Sequence, residues 1–149
     1  KATIYASADT ADFDIVASLY DLYPDGRSIF LADGSLRARF VGGLDNPELL
    51  SKGKIAAFEI DLWHIAHVFQ PGHKVRLQVA SASHLRFDVN GCTGNDLATD
   101  TETEIAQITI HSGLNFPSYV QADVVPMTIL TSDRLATSFA DTSKKGGSK

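Results

Sequence analysis

The chain has 149 residues, enough for one ordinary domain with a real core. Its composition, 44% hydrophobic and 21% charged, excludes global disorder. The formal net charge of −5 argues against a nucleic-acid partner, which would call for a basic excess. The single cysteine, Cys92, excludes an intramolecular disulfide. No apolar run reaches the about 18 residues that a membrane-spanning helix needs.

In chain order, residues 1–7 read as a strand and not as a signal peptide. Asp12 to Tyr23 is a longer strand-like run, rich in β-branched and aromatic residues, and Tyr23-Pro24-Asp25-Gly26 carries tight-turn chemistry. Ala32-Asp33-Gly34 reads as a second turn, and Ser35 to Phe40 alternates as a half-buried strand does. Asp45 to Leu50 is expected to hold one helical turn, with Pro47 near its start. Phe58, Ile60 and Leu62 fall on one face of a strand and Glu59, Asp61 and Trp63 on the other. Gln70-Pro71-Gly72-His73 is a further turn, followed by a strand that puts Val75, Leu77 and Val79 on one face. His84 to Asn90 reads as a loop, and Glu104 to Ile110 alternates again. Tyr119–Val125 and Met127–Leu130 read as strands separated by Pro126. Many short strands with turns between them define an all-β fold, a β-sandwich, of which the jelly roll is one form. The domain is expected over residues 1–141, with a disordered Ser/Lys/Gly tail at 142–149.

Few residues invite chemistry. The G-x-S-x-G elbow of an α/β-hydrolase does not occur, and Gly26-Arg27-Ser28 lacks its second glycine. A metal centre needs three or four converging ligands. On a strand His64 and His67 would point to opposite faces, so the five histidines, His64, His67, His73, His84 and His111, read as surface or turn residues. Asp9, Asp12 and Asp14 could offer oxygen ligands to calcium, but aspartates at such spacing more often cap turns, and that reading is preferred. Trp63 is expected to face outward, where it could stack on a sugar or dock on another domain. Arg86 and Asp88 could form a local ion pair in their loop. Trp63, His64, His67, His84, Arg86 and Asp88 are therefore the candidate interface or binding residues, no residue is expected to be catalytic, and no cofactor is expected.

In order, these segments resemble the C-terminal domain of the cocaine-esterase / X-Pro dipeptidyl-peptidase (CocE/NonD) serine hydrolases. The resemblance rests on Tyr23-Pro24-Asp25-Gly26-Arg27, Asp33-Gly34, Asn46-Pro47-Glu48-Leu49, Ile60-Asp61-Leu62-Trp63, Gly72-His73 with Arg76-Leu77-Gln78-Val79, and Arg86-Phe87-Asp88, and covers about residues 4–125. It departs from the family pattern at His64, Leu85, Val89 and Gly91-Cys92, beside or near the Arg86-Phe87-Asp88 loop. It implies a jelly roll of the galactose-binding-like type that does no chemistry itself. Such a domain packs against an α/β-hydrolase domain holding a Ser-Asp-His triad, shapes its cleft, and sometimes builds oligomers. The expected partner is thus that hydrolase domain or another copy of the chain. The resemblance also implies strands ahead of residue 1, and so an unpaired sheet edge. A carbohydrate-binding module of the same architecture is the alternative.

Overall fold

The structure, a computed structural model, describes residues 1–125. Within them lie strands β1 (Ala2–Ala8), β2 (Asp14–Leu22), β3 (Ser28–Arg37), β4 (Ala56–Ile60), β5 (Lys74–Ala80), β6 (Ile108–His111) and β7 (Tyr119–Val120), with one 3-10 turn at Ala38–Phe40. The expected boundary near residue 141, the tail at 142–149 and the strand at Met127–Leu130 lie outside the described residues.

Two antiparallel sheets form. In one, β1 lies between β4 and the pair β6 and β7; in the other, β2 lies between β3 and β5. Period-two alternation decides what each face buries. Strand β1 turns Ala2, Ile4, Ala6 and Ala8 inward, and β2 turns Ile15, Ala17 and Leu19 inward. The small alanines leave room for larger neighbours, and Phe13 and Phe58 fill it with ring centroids 5.2 Å apart. Phe58, Ile60 and Leu62 are buried while Glu59, Asp61 and Trp63 are exposed; β4 ends at Ile60, so strand alternation accounts for the first three residues, and Leu62 and Trp63 lie in the irregular chain beyond it. These layers make the protein an all-β sandwich.

The Tyr23-Pro24-Asp25-Gly26 turn closes the β2–β3 hairpin, with Gly26 at φ +89° and its N–H donating to Tyr23 O at 3.0 Å. The Gln70–His73 turn also forms, His73 N–H donating to Gln70 O.

Several expectations fail because tertiary partners capture the backbone. Ala32-Asp33-Gly34 is not a turn but the middle of β3, paired with β2 across a register shift at Leu19/Tyr20. Glycine is required there for contact: a Cβ on Gly34 would overlap the Asp61 carbonyl oxygen and come within 2.8 Å of the Ile60 side chain. Strand alternation stops at Arg37, since Asp12 takes the Arg39 N–H and Phe13 O takes the Ala38 N–H, winding 38–40 into the 3-10 turn. Asp45–Leu50 forms no helical turn: Glu48 N–H donates to Arg39 O and Leu50 N–H to Ala11 O. Residues 104–107 are not strand, as Gly91 O takes the Glu104 N–H and the Asp9 carboxylate takes the Gln107 N–H. Of Tyr119–Val125 only the first two residues pair with β1.

The contact at Gly34 yields a prediction. Gly34→Ala pushes β3 away from the end of β4 and costs about 2 kcal/mol of stability, in the range of core overpacking; urea unfolding of the two proteins measures it.

Candidate functional site

Two polar clusters and one apolar opening account for the candidate residues. The first cluster lies on the outer face of the β3-β2-β5 sheet, at the end where β2 begins and β3 ends. Asp14, on β2, receives both Arg37 Nε at 2.8 Å and Arg37 Nη2 at 3.0 Å, and also Asn90 Nδ2 at 2.8 Å. Such a two-pronged pair is geometrically specific, and the Asp14 carboxylate raises the guanidinium pKa of Arg37 above its usual value. Asp12, fully buried, takes Arg39 Nε at 2.8 Å. The two arginines also reach the loop after β5, Arg37 donating to Asp88 O and Arg39 to Asn95 O. Arg86 donates to Asp33 at 3.3 and 3.4 Å, so its ionic partner is Asp33 and not Asp88. Asp88 contributes its carbonyl, and His84 is exposed.

The three aspartates considered for calcium are each engaged: Asp12 and Asp14 by arginines, Asp9 by the Gln107 amide. Of the three, Asp12 accepts a backbone N–H of the 3-10 turn, from Arg39, whereas Asp9 takes a distant amide and Asp14 pairs with side chains. The arginine partners, Arg37 and Arg39, were not among the candidate residues. Cys92 sits half-buried in the same loop, and burial together with the charges of Asp14, Asp12 and Glu104 pushes its thiol pKa up, so the thiol stays protonated near neutral pH.

The second cluster lies on the inner face of the same sheet. Asp21, one per cent exposed, is bracketed by His67 Nε2 at 2.9 Å and His73 Nδ1 at 3.0 Å. An ionised carboxylate only accepts, so both ring nitrogens carry the proton. Burial works hardest on Asp21 and disfavours its charge, yet the hydrogen bonds from His73 and His67 together outweigh it and hold the carboxyl below its ordinary range. His67 and His73 are therefore anchors and not free surface histidines. They fix residues 61–73, the segment that crosses from one sheet to the other. Trp63 on it is 74% exposed and His64 is exposed. The six candidate residues thus divide into two groups anchored on opposite faces of one sheet.

Ser7 Oγ and His111 Nε2 share a hydrogen bond of 3.0 Å on the outer face of the other sheet. Among the described residues no carboxylate bonds the remaining ring nitrogen of His111. The Ser118 hydroxyl instead donates to its carbonyl and accepts from Tyr5 N–H, an arrangement that ties β1 to the loop between β6 and β7.

The sandwich is closed where Gly34 meets Asp61 and open on the opposite flank. There β5 and β6 are edge strands, each paired on one side only among the described residues. Between them lies an apolar opening of about 230 Å³ lined by Ile15, Val79, Ala80, Ser81, Ala106, Ile108 and Ile110. Val75 and Ile110 point to the inner side of their sheets yet are 59% and 42% exposed, because among the described residues no further strand covers them.

A β-sandwich module with charged clamps on one sheet and an uncovered apolar flank is the class that these features define. The chain belongs to the X-Pro dipeptidyl-peptidase C-terminal non-catalytic domain family, whose model matches residues 1–121. It is 35% identical over 127 residues to cocaine esterase from Rhodococcus sp., an alignment covering 84% of this chain and 22% of that protein. It is also 28% identical over 108 residues to proteins of Mycobacterium bovis and Mycobacterium tuberculosis whose names assign them provisionally as serine esterases, covering 60% of this chain and 17% of each. The chain spans about a fifth of the length of the curated relatives it matches.

The two clusters make separate predictions. Asp12→Ala leaves Arg39 without its carboxylate in a largely dry site and costs about 3 kcal/mol in chemical unfolding. Because the Asp21 pKa is lowered on folding, its contribution is whole above the ordinary value of 3.8 and is lost as pH falls through the lowered one. The Tm difference between wild type and Asp21→Asn therefore shrinks as pH drops below 3.8; a constant difference would contradict the assignment.

Proposed function

We infer that this chain is the non-catalytic C-terminal sandwich of a larger serine hydrolase acting on esters or X-Pro peptide bonds. Its work is to pack against the α/β-hydrolase domain, stabilise it and wall part of its cleft. The observation that carries this reading is the open flank between β5 and β6, where inward-pointing aliphatic side chains meet solvent. An apolar opening that no described residue covers offers a surface for a neighbouring domain to cover. The family match supplies the rest: its description names a non-catalytic domain, and the relatives are about five times longer. A jelly roll of galactose-binding-like type is the form this sandwich is proposed to take. The carbohydrate-binding alternative looks for a line of exposed aromatics, with a calcium beside Asp9, Asp12 and Asp14 as a further feature; those three carboxylates are already engaged by protein donors.

The test uses the full-length protein and this chain side by side. The chain alone is expected to hydrolyse neither nitrophenyl esters nor X-Pro anilides. Ile110→Asp is expected to lower the Tm of the chain alone modestly, since the side chain is partly exposed, and to lower the inactivation temperature of the full-length enzyme by several degrees more than that. Robust turnover by the chain alone, abolished by a serine-directed reagent, would overturn the reading.

A further inference from the structure

We propose that the segment 61–73 is the element with which this domain seats on the catalytic domain, with Trp63 as the anchor and Asp21 as the latch that holds the anchor in place. This rests on the reading that the domain serves a catalytic domain in the same protein.

The segment has no regular secondary structure, yet it is tightly specified. Its start is pinned by Leu62 in the core and by the Asp61 carbonyl against Gly34. Its end is pinned by His67 and His73 on the buried Asp21. Between these points it turns its large apolar side chains outward: Trp63 is 74% exposed, and Ile65, Val68 and Phe69 are also exposed. Neighbouring Val75 and Ile29 flank Asp21 in register on the sheet and are exposed as well, so the apolar surface continues from the segment onto the sheet.

Trp63 carries the decisive feature. Its φ is +59°, in the left-handed region that bulky residues avoid. The Asp61 carboxylate enforces this by accepting the Trp63 N–H at 2.8 Å. A strained backbone beneath a solvent-exposed indole gains little for the domain by itself, and strain of this kind gathers at functional positions. What it achieves is presentation: the ring is projected from a fixed backbone, so little freedom is lost on docking. Tryptophan is also the residue type most enriched among the dominant contacts of interfaces.

The occupant is the catalytic domain of the same polypeptide. The relatives devote about four-fifths of their length to sequence outside this domain. A tethered partner meets the surface at high effective concentration, which suits one aromatic anchor on a modest patch. The matching surface is an apolar slot wide enough for an indole, with a hydrogen-bond acceptor for its N–H, which has no acceptor among the described residues. Asp21 acts at a distance, as a positioning residue.

Photo-crosslinking in the full-length enzyme tests this. p-Benzoylphenylalanine is placed at position 63 and, separately, at position 79 in the open flank. Position 63 is expected to give an intramolecular crosslink to the catalytic domain. Asp21→Asn is expected to reduce that crosslink several-fold while sparing the one from position 79. Should Asp21→Asn fail to fold, His67→Gln removes one of the two holds and is expected to act in the same direction. A crosslink from position 79 with none from 63 overturns this inference and leaves the proposed function standing. Failure at both positions overturns both. A crosslink from position 63 only to a second molecule, or one indifferent to Asp21→Asn and His67→Gln alike, overturns the assignment of partner or latch respectively.

Discussion

The fold depends on a pair of buried carboxylate–guanidinium contacts made where β2 begins and β3 ends. Asp12 with Arg39 and Asp14 with Arg37 sit two residues apart on each side, so each pair fixes the alignment of the other. Burying such charges is costly unless the geometry satisfies both partners. Here it does: Arg39 bonds Asp12 through its backbone and its side chain, and Arg37 grips Asp14 with two nitrogens. The same arginines reach the carbonyls of Asp88 and Asn95, so a long loop without strands is held over one sheet by the charges that align the hairpin beneath it.

That arrangement explains an asymmetry in the molecule. The end of the β3-β2-β5 sheet at Asp14 and Arg37 carries the clamped loop on its outer face, and one flank is sealed by Gly34 against Asp61. Polar contacts close those sides from within. Among the described residues the β5–β6 flank and the outward side of residues 61–73 have no comparable closure, and Trp63, Val68, Val75 and Ile110 are exposed there.

Much of this was legible in the sequence. Alternation and turn chemistry gave the strands at Phe58–Ile60 and Val75–Val79 and the Pro24-Asp25-Gly26 hairpin, because side-chain direction and turn chemistry are local properties; Trp63 is exposed as expected, but on irregular backbone beyond the strand. Other features depended on partners far along the chain. Asp-Gly at 33–34 has the chemistry of a turn, but only its contact with Asp61, 27 residues later, gives that glycine its use. His67 and His73 gave no local sign of meeting, since the residue that joins them is Asp21 on another strand. The Arg86–Asp88 pairing failed similarly: Asp33 lies across the sheet and presents its carboxylate from a fixed strand. Regular spacing of aspartates and arginines at 12, 14, 37 and 39 was the available signal for the clamps, readable only once the two strands are known to pair antiparallel.

The central claim is that the apolar flank between β5 and β6 is an interior surface of a larger enzyme. A crystal or cryo-electron microscopy structure of the full-length protein measures this directly. The account predicts Val79, Ile108 and Ile110 buried beneath the catalytic domain. Finding those three side chains in open solvent, with the catalytic domain seated elsewhere, would contradict it.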